Sequence, residues 1–242
     1  MKPPVFEYHR PGSVAEALDV LAETGHDGKV LAGGQSLVPL LGQAIGDIAH
    51  ATVRNRGTVV GSLVHADPAA ELPAVLVLLG GTMELASAGN RPRRVAAADF
   101  FVGPLESALR PGELATAAHF PRPPAGSGSA WVELARRHGD YAVCGVGVLV
   151  ALDQGLRVSS ARAALISVGP VPVPVDLTDA VAGQPHDAAD WAAAGRLAAA
   201  AADPEDDIHA SAAYRRHLAG VLTARAARSA AAAAAARLEA SA

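Results

Sequence analysis

Cysteine occurs once in the 242 residues, at Cys144, so the chain closes no internal disulfide and brings no zinc or iron–sulfur ligand set of its own. Any such chemistry has to come from a partner. Aromatic residues are only 4% of the composition, and charged residues 18%, below the roughly 25% of an average soluble domain. With a formal net charge of -4 and no lysine or arginine tract, the sequence offers no nucleic-acid surface. Its basic pieces, at 91–94, 136–138 and 215–217, are short and scattered. No apolar run approaches a bilayer's thickness, and the opening MKPPVFEYHRPG lacks the apolar centre of a secretion signal, so a cytoplasmic chain is the expectation. GxSxG, HExxH, CxxC, the Walker A lysine motif and GxGxxG are all missing, which removes the common hydrolase, zinc and dinucleotide signatures.

What the chain does have is glycine at the ends of short apolar runs. Ser13 and Glu16 form a capping box ahead of a helix that should stop near Gly25. Residues 29–32 read as a buried strand running into Gly33-Gly34, with Ser36 placed to cap a turn or helix through Leu41. A second such passage, RNRGTVVGSLVHADPAAELPAV at 54–75, combines a basic glycine turn with an apolar strand over 58–64 broken by Gly61. A helix should then begin at Pro68, capped by Asp67. Glycine loops that aim main-chain N–H groups at a helix start can hold a phosphate. Paired glycines are also ordinary tight turns.

Further on, Gly89-Asn90 turns a hairpin between strands at 82–86 and 93–95, and Phe100 with Phe101 reads as core filling. The proline-, glycine- and serine-rich stretch 121–128 marks a domain boundary. Strands at 131–135, 141–152 and 163–168 make an antiparallel sheet of at least three strands, followed by a proline-bearing edge at 169–175. Helices over 188–202 and from 212 to beyond 222 complete the fold. The closing alanine run has helix propensity but little to bury, so fraying past Ser229 is expected.

Two groups of residues could carry chemistry. His65 and Asp67 point the same way on an extended chain and form either a weak acid–base pair or a set of caps and loop anchors. The cluster Arg136-Arg137-His138-Gly139-Asp140-Tyr141 interrupts two buried-looking strands. It is either a solvated turn or a ligand-facing edge, with arginine for an anion and tyrosine for a flat ring. Cys144 reads as core. Without an acid–base constellation, redox chemistry by a bound nucleotide cofactor fits better than hydrolysis.

Five stretches, AGGQSLVPLL, RNRGTVVGSLVHADPAAELPAV, DFFVGPLESALRPGEL, ARRHGDYAVCGVGV and DIHASAAYRRHLAGVLTARA, occur in that order over most of the chain. Together they resemble the FAD-binding middle subunit of the molybdenum hydroxylases, the carbon monoxide dehydrogenase and xanthine dehydrogenase group. The resemblance implies an α+β fold: a two-part FAD-binding domain of the PCMH (vanillyl-alcohol-oxidase-like) type over 1–122, with subdomains at about 1–41 and 51–122. A C-terminal three-stranded antiparallel sheet with helices comes next over 129–228, then a frayed tail at 229–242. It assigns the FAD diphosphate to Ala32, Gly33, Gly34, Gln35 and Ser36, and to Thr58, Gly61 and Ser62. The flavin side falls to His65 and Asp67, with Ala66 between them, and the isoalloxazine end to Asp140 and Tyr141. No catalytic side chain and no metal ligand is implied.

The partners implied are a large molybdopterin subunit and a small subunit with 2Fe–2S clusters, as a dimer of heterotrimers. This chain would pass electrons through FAD to an external acceptor. Two departures stand out. Val59-Val60-Gly61 occupies the place where the family pattern has paired glycines, and a valine there is unfavourable if the backbone is left-handed. Only twelve residues separate Leu41 from Arg54, so the first subdomain is shortened. Those departures favour a second reading, a non-catalytic assembly protein with a defective FAD site. A third, an independent FAD oxidase, lacks a substrate base.

Overall fold

The computed structural model describes residues 11–24, 39–48, 57–137 and 139–240. The strand read at 29–32, the residues Ala32, Gly33, Gly34, Gln35 and Ser36, the turn at 54–56 and His138 lie outside them. Helix α1 (Val14–Thr24) begins on the anticipated box. The Ser13 hydroxyl accepts from the Glu16 N–H, and the Glu16 carboxylate accepts from the Gly12 N–H at 2.7 Å. In α2 (Pro39–Asp47), Leu40 and Ala44 sit one turn apart and are both fully buried.

The next segment departs from its strand reading. Residues 59–65 form helix α3 (Val59–His65), because Thr58 is extended and its hydroxyl accepts from the Gly61 N–H at 2.6 Å. This cap, together with the burial of Leu63, outweighs the β-preference of Val59 and Val60. A Cβ at Gly61 would run into the Thr58 hydroxyl, so the cap requires glycine there. Val60 is not among the positive-φ residues, so the valine carries no left-handed strain. Ala66 takes that conformation instead, at φ 52, and ends the helix.

Helix α4 (Glu71–Leu78) starts three residues after Pro68. Asp67 does not cap it. Its carboxylate accepts from the Ala69 N–H at 2.8 Å and builds a turn, leaving Ala70 as the residue that precedes the helix.

Strands β1 (Thr82–Ser87) and β2 (Arg93–Ala96) form the predicted hairpin. The one-turn helix α5 (Ala97–Phe100) and the small pair β3 (Phe101–Gly103) and β4 (Glu106–Ser107) lead to β5 (Glu113–His119). That last strand pairs antiparallel on the other side of β1. Phe100 and Phe101 are both buried, edge to face at 5.3 Å.

The second sheet runs β6 (Ser127–Ala135), β7 (Ala142–Leu152), β8 (Val158–Ile166) and β9 (Val173–Asp176), all antiparallel. It has four strands, the proline-bearing edge supplying the last. Every residue of β7 is buried because both faces are covered. On one face Trp131, Leu149, Ala164 and Ile166 meet α4. On the other, Val146, Val148 and Val150 meet helices α7 (Trp191–Ala201) and α8 (Ala212–Glu239), the short α6 (Thr178–Val181) lying between β9 and α7.

Helix α8 corrects the frayed-tail expectation: it runs 28 residues, and Ala230, Ala231, Ala234 and Ala235 are buried. The small side chains let its backbone lie directly on β6, where a Cβ at Gly128 would strike the Ala230 carbonyl and the Ala234 nitrogen. Arg237 adds a hydrogen bond to the Ser127 carbonyl at 2.8 Å. Among the described residues, no helix is long and apolar enough to cross a membrane.

Candidate functional site

A cavity of about 1200 Å³ opens where the α3–α4 corner, the β6–β7 turn, the end of β8 and the loop before α8 converge. Small-molecule sites typically span roughly 300–1,000 Å³. Asp67 and Pro68 line it from the N-terminal half, Asp140 and Tyr141 from the β6–β7 turn, and Ser167 from the end of β8. The fold therefore brings Asp67, Asp140 and Tyr141 together, although more than seventy residues separate Asp67 from Asp140. Tyr141 is 76% exposed, an uncommon setting for a ring beside a cleft.

Thr58, Gly61, Ser62 and His65 sit on or next to α3 and do not line this cavity. The amides of Gly61 and Ser62 are already bonded to the Thr58 hydroxyl and carbonyl. What these two positions offer a ligand is the Ser62 hydroxyl, since the Thr58 hydroxyl fills the space beside the Gly61 Cα. His65 is an exposed last-turn residue, and the left-handed Ala66 stands between it and Asp67. The extended geometry that an acid–base pair of His65 and Asp67 needs is absent.

Backbone conformation at the corner is maintained by a neighbouring loop: the Leu105 N–H donates to the Ala66 carbonyl at 3.0 Å. Leu105 is itself left-handed at φ 57, so two uncommon backbones brace one another beside the cleft. Behind them lies Glu71, 8% exposed at the head of α4. Burial pushes its carboxyl up to about 8, and the negative charges of Glu133, Asp47 and Asp67 add to the effect.

Sequence reasoning missed the residue that ties the cleft together. Arg215 lies in the first turn of α8 and is 7% exposed. It donates through Nη1 to the carbonyls of Val143 and Ser167, each at 3.0 Å, and through Nη2 to Asp207 at 2.6 Å. The N–H groups of Ala210 and His209, and then Arg215, hold the Asp207 carboxyl down at about 2. A signal was available. Arg215 shares its helical face with Leu218, Ala219 and Leu222, and an arginine on an apolar stripe calls for a buried partner. Cys144, fully buried, has its thiol pushed up to about 12 by desolvation and stays an inert core residue.

Two buried polar atoms at the cavity have no hydrogen-bond partner among the described residues: the Ser167 hydroxyl and Arg215 Nε. Both atoms are sealed from solvent, while the Tyr141 face beside them is exposed and the cavity is large enough for a flat ring such as a flavin. Fold and cleft thus define a class: a two-part α+β protein with a cleft between its halves large enough for a small-molecule ligand.

Comparison with known proteins narrows the class. Residues 36–123 match the family described as the FAD binding domain in molybdopterin dehydrogenase, and residues 129–230 match the CO dehydrogenase flavoprotein C-terminal domain. The 6-hydroxypseudooxynicotine dehydrogenase complex subunit alpha of Paenarthrobacter nicotinovorans is 34% identical over 269 residues, covering 89% of this chain and 90% of that protein. The carbon monoxide dehydrogenase medium chain of Afipia carboxidovorans is 31% identical, covering 93% and 96%. The structure of carbon monoxide dehydrogenase from Hydrogenophaga pseudoflava superimposes with a TM-score of 0.86 at 29% identity, over 98% of this chain and 99% of that one.

The chain belongs to the FAD-binding medium subunits of the molybdenum hydroxylases, the carbon monoxide dehydrogenase and xanthine dehydrogenase group. It functions as that subunit within a multi-subunit oxidoreductase, with FAD as its cofactor. Against Paenarthrobacter the aligned length of 269 exceeds 89% of 242 residues by on the order of fifty positions, which this chain lacks.

Proposed function

We propose that the cavity receives the isoalloxazine end of FAD, with Tyr141 against the ring and Asp67 and Asp140 at its polar edge. The diphosphate would be held by Ala32, Gly33, Gly34, Gln35 and Ser36 together with Thr58, Gly61 and Ser62, leaving His65 outside the ring site. In this reading residues 1–122 bind the cofactor and 129–228 close over its ring.

The carrying observation is that Asp67, Asp140 and Tyr141 meet in one cavity. FAD supplies a two-electron store between an inflow and an outflow of electrons. The chain's own part is to bind, orient and shield: Tyr141 offers a flat face, Arg215 and Ser167 hold the surrounding segments in place, and the β6–β7 turn limits water at the ring.

Electrons would come from 2Fe–2S clusters of a small partner subunit, themselves reduced by a large molybdopterin subunit, and leave to an external acceptor. A dimer of heterotrimers in the cytoplasm is the assembly this reading carries. Reconstituting the purified full chain with FAD tests it. Stoichiometric uptake with flavin absorbance supports the reading. A folded chain that takes up no FAD supports the other one, an assembly protein with a defective site. One observation favours that alternative, the short span of twelve residues between Leu41 and Arg54. The valine at 60 does not, since its backbone is helical.

A further inference from the structure

Arg215 sits where a single side chain can govern both the shape and the charge of the cleft. The Ser167 N–H donates to the Pro68 carbonyl at 2.9 Å, linking the end of β8 to the corner that carries Asp67. Ser167 is left-handed at φ 61, a conformation a serine keeps only when its surroundings impose it. Its carbonyl accepts from Arg215, which also binds the Val143 carbonyl two residues after Tyr141 and the Asp207 carboxylate in the loop before α8. A continuous path of hydrogen bonds therefore joins Pro68, Ser167, Arg215 and Asp207, with Val143 as a branch. Both halves of the cleft are tied to it.

Charge takes the same route. The guanidinium is nearly all buried, its carboxylate partner Asp207 is 45% exposed, and its Nε has no partner among the described residues. The cavity lining is otherwise mainly acidic, with Asp67, Asp140, Asp203, Glu205, Asp206 and Asp207 against the guanidinium groups of Arg136, Arg137 and Arg215, so Arg215 is a buried positive charge that offsets part of a negative surround.

We propose that Arg215 is a positioning residue for the flavin: it locks the Tyr141 strand, Ser167 and the Asp207 loop around the ring and fixes a positive charge beside it that favours the reduced form. The inference rests on the FAD reading of the cavity. Its electrostatic basis is the balance of reduction, since a ring that takes up two electrons and one proton gains one negative charge. A fixed cation nearby stabilises that charge, and Asp207 opposes it.

Spectroelectrochemical titration of the FAD-reconstituted full chain, with affinity measured alongside, tests this in three variants. Arg215→Met should make the flavin at least tenfold harder to reduce, about 30 mV more negative for a two-electron couple. Arg215→Lys keeps the charge and loses the fork, so its potential should stay near wild type while FAD affinity falls. Asp207→Asn keeps the acceptor for the Ala210 and His209 amides, removes the negative charge, and should shift the potential in the positive direction.

A purely structural arginine would make the Met and Lys variants equally weak and leave both potentials unmoved; that result overturns the assignment while the FAD reading stands. Should Arg215→Met fail to fold, Asp207→Asn decides: an unchanged potential there overturns the proposal and a positive shift supports it. A wild-type chain that takes up no flavin overturns both.

Discussion

The two faces of the β6–β9 sheet acquire their helices by opposite means. On one face α8 lies on alanine, with its backbone against Gly128, so the fit depends on side chains that are not there. On the other, α4 brings Leu72, Val75, Leu76 and Leu78 against Trp131 and Ile166, and begins with a buried carboxyl. Close contact between small residues tolerates no added volume, whereas a face of large side chains can repack. The alanine face therefore acts as the rigid base of the cleft. The corner at residues 66–71 is carried on the other face and is held instead by backbone hydrogen bonds from Leu105 and Ser167.

The contrast breaks most severely at Gly128. Gly128→Leu should cost about 3 kcal/mol or more, because the obstruction is helix backbone and not a movable side chain. Urea denaturation of the full chain reads this as a large fall in midpoint. An equal substitution at Gly89, an open turn position, sets the scale for a glycine lost at positive φ without a steric clash.

Glu71 sharpens the other side. Its folded value of about 8 lies above its ordinary 4.5, so the folded state keeps a proton that the unfolded chain releases. Stability from this group is full below about pH 4.5 and declines as pH rises toward 8, by roughly 3 kcal/mol at pH 7. Glu71→Gln should remove that slope and raise the melting temperature near neutral pH; unfolding curves taken between pH 5 and 8, in that order of magnitude of effect, check it. Asp207 works in the reverse sense. Held at about 2, below its usual 3.8, it contributes stability above that usual value and loses it as pH falls toward 2. Asp207→Asn should therefore flatten the acid limb alone.

Smaller effects belong to the corner itself. Thr58→Ala removes the hydroxyl that caps α3 and should cost about 1 kcal/mol. Ala66→Gly should recover about 0.5 kcal/mol by relieving the left-handed alanine, with the methyl group's lost burial set against it. Thermal melts of the two single variants and the pair would show whether the cap and the reversal act independently.

The same contrast explains what could be read in advance. β7 was legible because an eleven-residue apolar run ends at Asp153-Gln154-Gly155, and both its length and its turn are local properties. The hairpin around Gly89-Asn90 was legible for the same reason. Val59 and Val60 misled because their strand preference is weaker than the cap that Thr58, just before them, forms with the Gly61 N–H. Helix at 230–239 was foreseeable from alanine, but its burial was not, since the partner surface is Gly128, a hundred residues earlier.

In the cleft, Asp140 and Tyr141 could be picked out as polar residues where apolar ones were due. Arg215 was seen only as part of a scattered basic piece, because its partners are the carbonyls of Val143 and Ser167, which no side-chain pattern reveals.

The most direct measurement is the fluorescence decay of FAD bound to the full chain, compared with the Tyr141→Leu variant. A phenol against the flavin ring quenches it by electron transfer at contact distance. The account therefore predicts a dominant fast decay in the wild type that lengthens severalfold in the variant at equal FAD stoichiometry. Identical decays in the two proteins, with flavin bound to both, would contradict it.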